Sequence, residues 1–133
     1  MNGVIQSPDR PRFGEIWMCN LCQDSGSVQR GSRPVFIVSN NLNNVHSPVL
    51  NVIPLTSRLD KKPFPMHVFL CDPSLYGLRR PSTMLVEQIT TVQASTCTFK
   101  IGCVSDQETL AAIYGAIKVQ FPVVGMFSSG SAA

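Results

Sequence analysis

Six short apolar runs, each closed off by turn residues, constrain this chain more than any other feature of its sequence. They are Glu15–Cys19 after Gly14, Val35–Val38 after Pro34, Val49–Thr56, Met66–Leu70, Ser82–Ile89 and Thr98–Val104. Runs of this length, rich in Val, Ile, Phe and Thr, read as strands. Pro34 suits the first residue of a strand, whereas Pro54 lies inside the third run and cannot donate to a ladder, which predicts an edge or a bulge there. About six short strands in so few residues predict a small barrel.

One helix is expected after the last run. Ser105-Asp106-Gln107-Glu108 has the spacing of a capping box, in which Ser105 and Glu108 satisfy free backbone N–H groups. Asp106 and Glu108 also suit the positive end of the helix dipole. Leu110, Ile113, Ile117 and Phe121 recur at helical spacing, and Pro122 ends the pattern. The expected fold class is therefore mainly β with a C-terminal α-helix packed against the barrel. Residues 1–12 and 122–133 are rich in Pro, Ser and Gly and lack periodicity, so they read as tails, the second flexible, around a folded unit at 13–121.

The 133 residues suffice for one domain with a core that needs no staples. Only 14% are charged, so the polar surface must be built largely from Ser, Thr, Asn and Gln. A net charge of +3 matters only where Lys and Arg cluster. Pro8, Asp9, Arg10, Pro11 and Arg12 interrupt any signal-peptide core, and nowhere do 18 apolar residues run together, so a soluble cytoplasmic protein with no membrane contact is expected. Cys19, Cys22, Cys71, Cys97 and Cys103 show no paired spacing beyond Cys19 and Cys22, and read as reduced thiols.

The chemistry is expected in the connections. Gly26–Val35 joins the first two strands and combines glycines, the Ser27 hydroxyl, the Gln29 amide and the guanidiniums of Arg30 and Arg33. A guanidinium matches a phosphate bidentately and stays charged at any cellular pH, so Arg33 is suited to stabilise charge building on phosphorus. Taken alone, such a loop is more often a solvated hairpin connection. Thr56-Ser57-Arg58 closes the third strand and offers further donors to the same phosphate; Thr56 by itself would more often be structural. Strand alternation turns one of Glu87 and Gln88 away from the core. Glu87 reads as a structural carboxylate paired to an Arg inside the fold, and Gln88 as the one that meets a ligand. His46 and His67 lack a triad or metal-ligand pattern and read as surface or packing residues. Cys19 and Cys22 have no second pair at zinc spacing, so neither a metal nor a cofactor is expected.

Gly14-Glu15-Ile16-Trp17, then Gly26-Ser27, Gln29 and Gly31 leading into Arg33-Pro34-Val35, are followed in order by Val52–Ser57, Pro65–Val68, Leu85–Thr90 and the closing helix. Over roughly residues 12 to 121 this succession resembles the MazF/PemK (Kid) toxins. The resemblance implies an SH3-like barrel of the CcdB/PemK type, a homodimer, and a type II toxin silenced by a cognate antitoxin. It also implies sequence-specific, metal-independent cleavage of single-stranded RNA by 2′-hydroxyl attack, leaving 2′,3′-cyclic phosphate and 5′-hydroxyl ends. On the same resemblance Arg33 is the catalytic arginine and Thr56 the catalytic threonine or serine, with Ser27 and Gln88 near the RNA. Gln29, Arg30, Ser57 and Arg58 complete the expected RNA contacts. Val28 stands where many relatives carry Glu, and Asp72–Pro81 differs in composition from relatives; loops of that kind can splay and stack bases. Two alternatives stand beside this reading. A CcdB-like gyrase poison would carry a functional Trp at the extreme C-terminus, whereas the only Trp here is Trp17. A catalytically inactive module would bind RNA or antitoxin without turnover.

Overall fold

The computed structural model describes residues 10–21, 31–58 and 64–128. Within them the chain forms β1 (Glu15–Asn20), β2 (Ser32–Ile37), α1 (Asn41–His46), β3 (Val49–Thr56), β4 (His67–Leu70), β5 (Ser82–Leu85), β6 (Thr90–Gln93), β7 (Cys97–Cys103), α2 (Gln107–Gln120) and α3 (Pro122–Ser128). Short 3-10 turns at Pro73–Tyr76, Val86–Gln88 and Ala94–Thr96 connect the later strands.

The strands pair antiparallel in the order β4-β5-β3-β2-β1-β7, with β6 also on β3. The mainly-β fold with a C-terminal helix is thus observed, as a strongly folded sheet that does not close: β4 and β7 end the hydrogen-bonded path. The fold line runs through Pro54. On one flank β3 pairs with β2 through Val52, Ile53 and Pro54; on the other it pairs with β6 over Val49–Val52 and with β5 over Leu55–Thr56. Pro54 sits where that second flank changes partner, so a residue with no N–H stands in an internal strand without interrupting a continuous ladder.

Period-2 alternation then buries both faces of the sheet. Ile16, Phe36, Ile53 and Leu55 face a core completed by Val68, Met84 and, from α2, Ile113 and Ala116. Trp17, Cys19, Val35, Ile37, Leu50 and Val52 face the opposite way, into a second cluster with Val92 and Ala94.

Several features depart from the sequence reading, strand β6 at Thr90–Gln93 among them. The run Ser82–Ile89 is not one strand: β5 stops at Leu85, and Glu87 and Gln88 lie in a 3-10 turn that carries the chain across to β6. The Asn-rich turn contains helix α1, capped by the Asn40 side chain accepting from the Asn43 N–H at 2.8 Å. Helix α2 is capped by Asp106 rather than Ser105. Asp106 Oδ2 accepts from the Thr109 N–H at 3.0 Å, and Oδ1 accepts from the Tyr76 hydroxyl at 3.2 Å; the second bond ties the cap to the body of the fold and selects Asp106. Residues 122–128 form α3, because Pro122 occupies a first-turn position where its missing N–H costs nothing. Arg10, at the end of the expected N-terminal tail, is buried, and its guanidinium donates to the carbonyls of Asn44 and Ser47.

Candidate functional site

A cavity of about 520 Å³ opens where β7, β1 and β2 meet the loop before β5. Its floor is a row of apolar side chains running across strands. Phe99 of β7 lies opposite Met18 of β1, Met18 lies opposite Pro34 of β2, and Leu55 of β3 continues the row. Its rim is polar: Arg33, Ser57, Arg79, Arg80, Ser82 and Lys100. An apolar floor with convergent polar groups is the usual anatomy of a ligand site.

Arg33 stands half-buried in β2, opposite Cys19. The β2–β3 register pairs Val35 with Pro54; carried two residues further it sets Arg33 opposite Thr56. Thr56 is 2% exposed, and its Oγ1 accepts from the Arg58 N–H at 3.2 Å. The exposed residue on the cavity wall at that strand end is Ser57. Of the expected site residues, then, Arg33 and Ser57 line the cavity together, with Thr56 beside them in the strand. Arg58, exposed, and Gln88, half-buried in the 3-10 turn, are not among the lining residues. Ser27, Gln29 and Arg30 lie outside the described residues.

Glu87 finds a partner other than the expected Arg. His67 Nε2 lies 3.0 Å from Glu87 Oε2, and the His67 ring packs on Phe64 with centroids 5.0 Å apart. Because Glu87 sits in the turn after β5 and His67 opposite Leu85 on β4, the pair closes that corner of the sheet.

Behind the cavity, Cys19 lies opposite Cys97 on β7 as well as opposite Arg33 on β2. The hydrogen bond from Cys97 favours the Cys19 thiolate enough to outweigh burial, with help from Thr96 at 3.2 Å, and brings Cys19 down to about 7. The same bond, with burial, pushes Cys97 up. On the outer side, burial would raise Glu15. Hydrogen bonds from the Trp17 indole at 2.8 Å and the Arg12 N–H at 2.9 Å, with Lys100 at 3.2 Å, prevail and hold it below the ordinary carboxylate value. No group of three or more His, Cys, Asp or Glu side chains is placed to hold a metal among the described residues.

Sequence reasoning misses Arg79, Arg80, Phe99 and Lys100 as parts of this site. The adjacent arginines in a loop of unusual composition are the available signal; nothing in Thr98–Val104 marks Phe99 as exposed.

Residues 12–121 match the family described as PemK-like, MazF-like toxin of type II toxin-antitoxin system. The chain is 35% identical over 97 residues to Endoribonuclease MazF of Staphylococcus saprophyticus, covering 73% of this chain and 80% of that protein. It is also 35% identical over 94 residues to Endoribonuclease EndoA of Bacillus subtilis, covering 71% and 80%. Among solved structures, MazF from Deinococcus radiodurans superposes with a TM-score of 0.70 at 20% identity, over 85% of this chain and 97% of that one. A mycobacterial endoribonuclease in complex with its cognate antitoxin superposes with a TM-score of 0.66 at 23% identity, over 85% and 96%. The fold, the match along 12–121 and the relatives at 35% identity agree: the chain belongs to the PemK/MazF-like toxins of type II toxin–antitoxin systems.

Proposed function

We propose that this toxin is an endoribonuclease that cuts single-stranded RNA at short sequence motifs, at the cavity carrying Arg33, by attack of the ribose 2′-hydroxyl on the adjacent phosphorus. The P–O5′ bond breaks as the 2′-O–P bond forms, and the 2′-hydroxyl gives up one proton while the departing 5′-oxygen takes one up, leaving a 2′,3′-cyclic phosphate on one fragment and a 5′-hydroxyl on the other. The nucleophile belongs to the substrate, so no cysteine or activated water is required, and the reading involves no metal.

The observation that carries this proposal is the placement of Arg33 at the rim of a cavity with an apolar floor, level with the hydroxyl-bearing end of β3. There the Arg33 guanidinium neutralises the phosphorane oxygens, a role in which preorganised donors contribute most. Thr56 Oγ1 accepts from the Arg58 N–H, which leaves its own proton to donate to a non-bridging oxygen. Ser57 and Arg58 extend the donor set along the strand end, and Ser27, Gln29, Arg30 and Gln88 belong to the same proposed RNA contact. The relatives named as endoribonucleases support the reaction class.

The working form is proposed to be a cytoplasmic homodimer, silenced by a cognate antitoxin segment that folds across the RNA site, as coupled folding allows. A solved relative in complex with its cognate antitoxin supports that part. Among the described residues no helix is long and apolar enough to cross a membrane.

The test is incubation of catalytic amounts of the protein with a long single-stranded RNA in EDTA, followed by analysis of fragment ends. Discrete fragments with cyclic-phosphate and 5′-hydroxyl ends are expected. Intact RNA, or protection only at stoichiometric protein, would overturn the proposal.

A further inference from the structure

We infer that Phe99, with Arg79 and Arg80 lining the same cavity, forms an RNA subsite beside Arg33 in which the Phe99 ring stacks the base next to the scissile phosphate and the two guanidiniums hold flanking phosphates. This wall then sets which base is accepted at that position. The inference rests on the endoribonuclease reading and goes beyond it by naming the residues that select sequence.

Phe99 is 55% exposed although it sits within a paired strand. The cause lies in the β1–β7 register. Ile16 pairs with Gly102 but Trp17 with Lys100, and Met18 pairs with Phe99 but Cys19 with Cys97. Ile101 and Thr98 are therefore extra residues in β7, one on each side of the Phe99–Lys100 pair. Bulges re-aim side chains and are common beside active sites. Here Phe99 lines the cavity next to Met18 and Pro34, so it belongs to a continuous apolar floor rather than standing as a scattered surface residue.

The charge at this wall sits on the arginines. Lys100 is held by Glu15 at 3.2 Å, whereas Arg79 and Arg80 are exposed and have no acidic partner among the described residues. Their loop starts against β7: Gly77, two residues before Arg79, lies backbone to backbone with Gly102. An aromatic ring beside guanidiniums in a groove is how proteins bind unpaired bases and their backbone, because every base offers a π-face and every nucleotide a phosphate. A cavity of about 520 Å³ is of the size that encloses a small organic ligand such as a nucleobase.

The experiment uses the full-length protein, a long single-stranded RNA of mixed sequence, and three exposed-site variants: Phe99→Ala, Phe99→Trp and the double variant Arg79→Ala/Arg80→Ala. Fragment-end sequencing, KM, kcat and their salt dependence are measured for each. Phe99→Ala is expected to raise KM by about 5- to 100-fold and to broaden base preference at one position next to the cut, while Phe99→Trp retains both. The double variant is expected to raise KM more than it lowers kcat, and to flatten the dependence of log KM on log salt by about 1.4, the loss of two phosphate contacts. Variants that match wild type in KM, salt slope and cut pattern overturn this inference alone; if they have instead lost only antitoxin binding, the wall belongs to the protein partner. A wild-type protein that cuts no RNA overturns the endoribonuclease reading and this inference with it.

Discussion

Gly77 and Gly102 meet backbone to backbone: a Cβ on Gly77 would lie 2.2 Å from the Ile101 carbonyl oxygen, and one on Gly102 would lie 2.1 Å from that of Tyr76. Neither obstacle is a side chain that can swing away. Gly77 also has φ +75°, which costs an L-residue roughly 1 kcal/mol before any contact is counted. Gly77→Ala and Gly102→Ala are each predicted to lower stability by about 2 kcal/mol or more, read as a shift in denaturant midpoint. An unchanged midpoint for Gly102→Ala would show that the loop does not need this close approach.

The cap of α2 offers a second check. Asp106 accepts from both Thr109 and Tyr76, and these bonds, the one from Thr109 foremost, hold its carboxyl below the ordinary value. Asp106→Ala is predicted to lower the melting temperature clearly, and Ser105→Ala to leave it nearly unchanged. Equal losses at the two positions would restore Ser105 as the capping residue.

Glu15 ties a pH dependence to stability. Its pKa is depressed in the folded chain relative to the ordinary 4.5, so its contribution is present above that value and is lost as pH falls through the lower folded value. Between about pH 5 and pH 3 wild type is predicted to lose more thermal stability than Glu15→Gln, measured by paired melts across that range. Parallel curves would mean that Trp17, Arg12 and Lys100 gain nothing from its charge.

Cys19 joins a thiol brought down to about 7 with complete burial. Thiolate character favours alkylation, but access limits it. In native protein treated with iodoacetamide, the exposed Cys71 and Cys103 are predicted to be modified well before Cys19, as followed by peptide mass spectrometry. Modification of Cys19 as fast as theirs would mean that β1 and β7 open readily beside Arg33.

The strands legible in the sequence are those whose apolar runs are bounded by turn residues, because burial on both faces demands such runs. Thr90–Gln93 leaves no such mark since only Val92 is buried in it, and Ser82–Ile89 reads as a single strand since Val86 remains buried after the backbone has left β5. Helix α1, with Asn at three of its six positions, depends on the Asn40 cap and on contact with β3 rather than on propensity. Arg33 and Ser57 are legible because their connections are rich in phosphate-binding groups. Phe99, Arg79 and Arg80 are not, because only the bulges of β7 and the Gly77–Gly102 approach bring them to the same wall, and neither is a local property of sequence.

The role of Arg33 in RNA cleavage is tested by comparing rates at saturating RNA for wild type and Arg33→Ala, with matching melting curves to show that both are folded. A loss of about 10²- to 10³-fold is expected for Arg33→Ala. Equal rates from two folded proteins would contradict it and remove Arg33 from the chemistry.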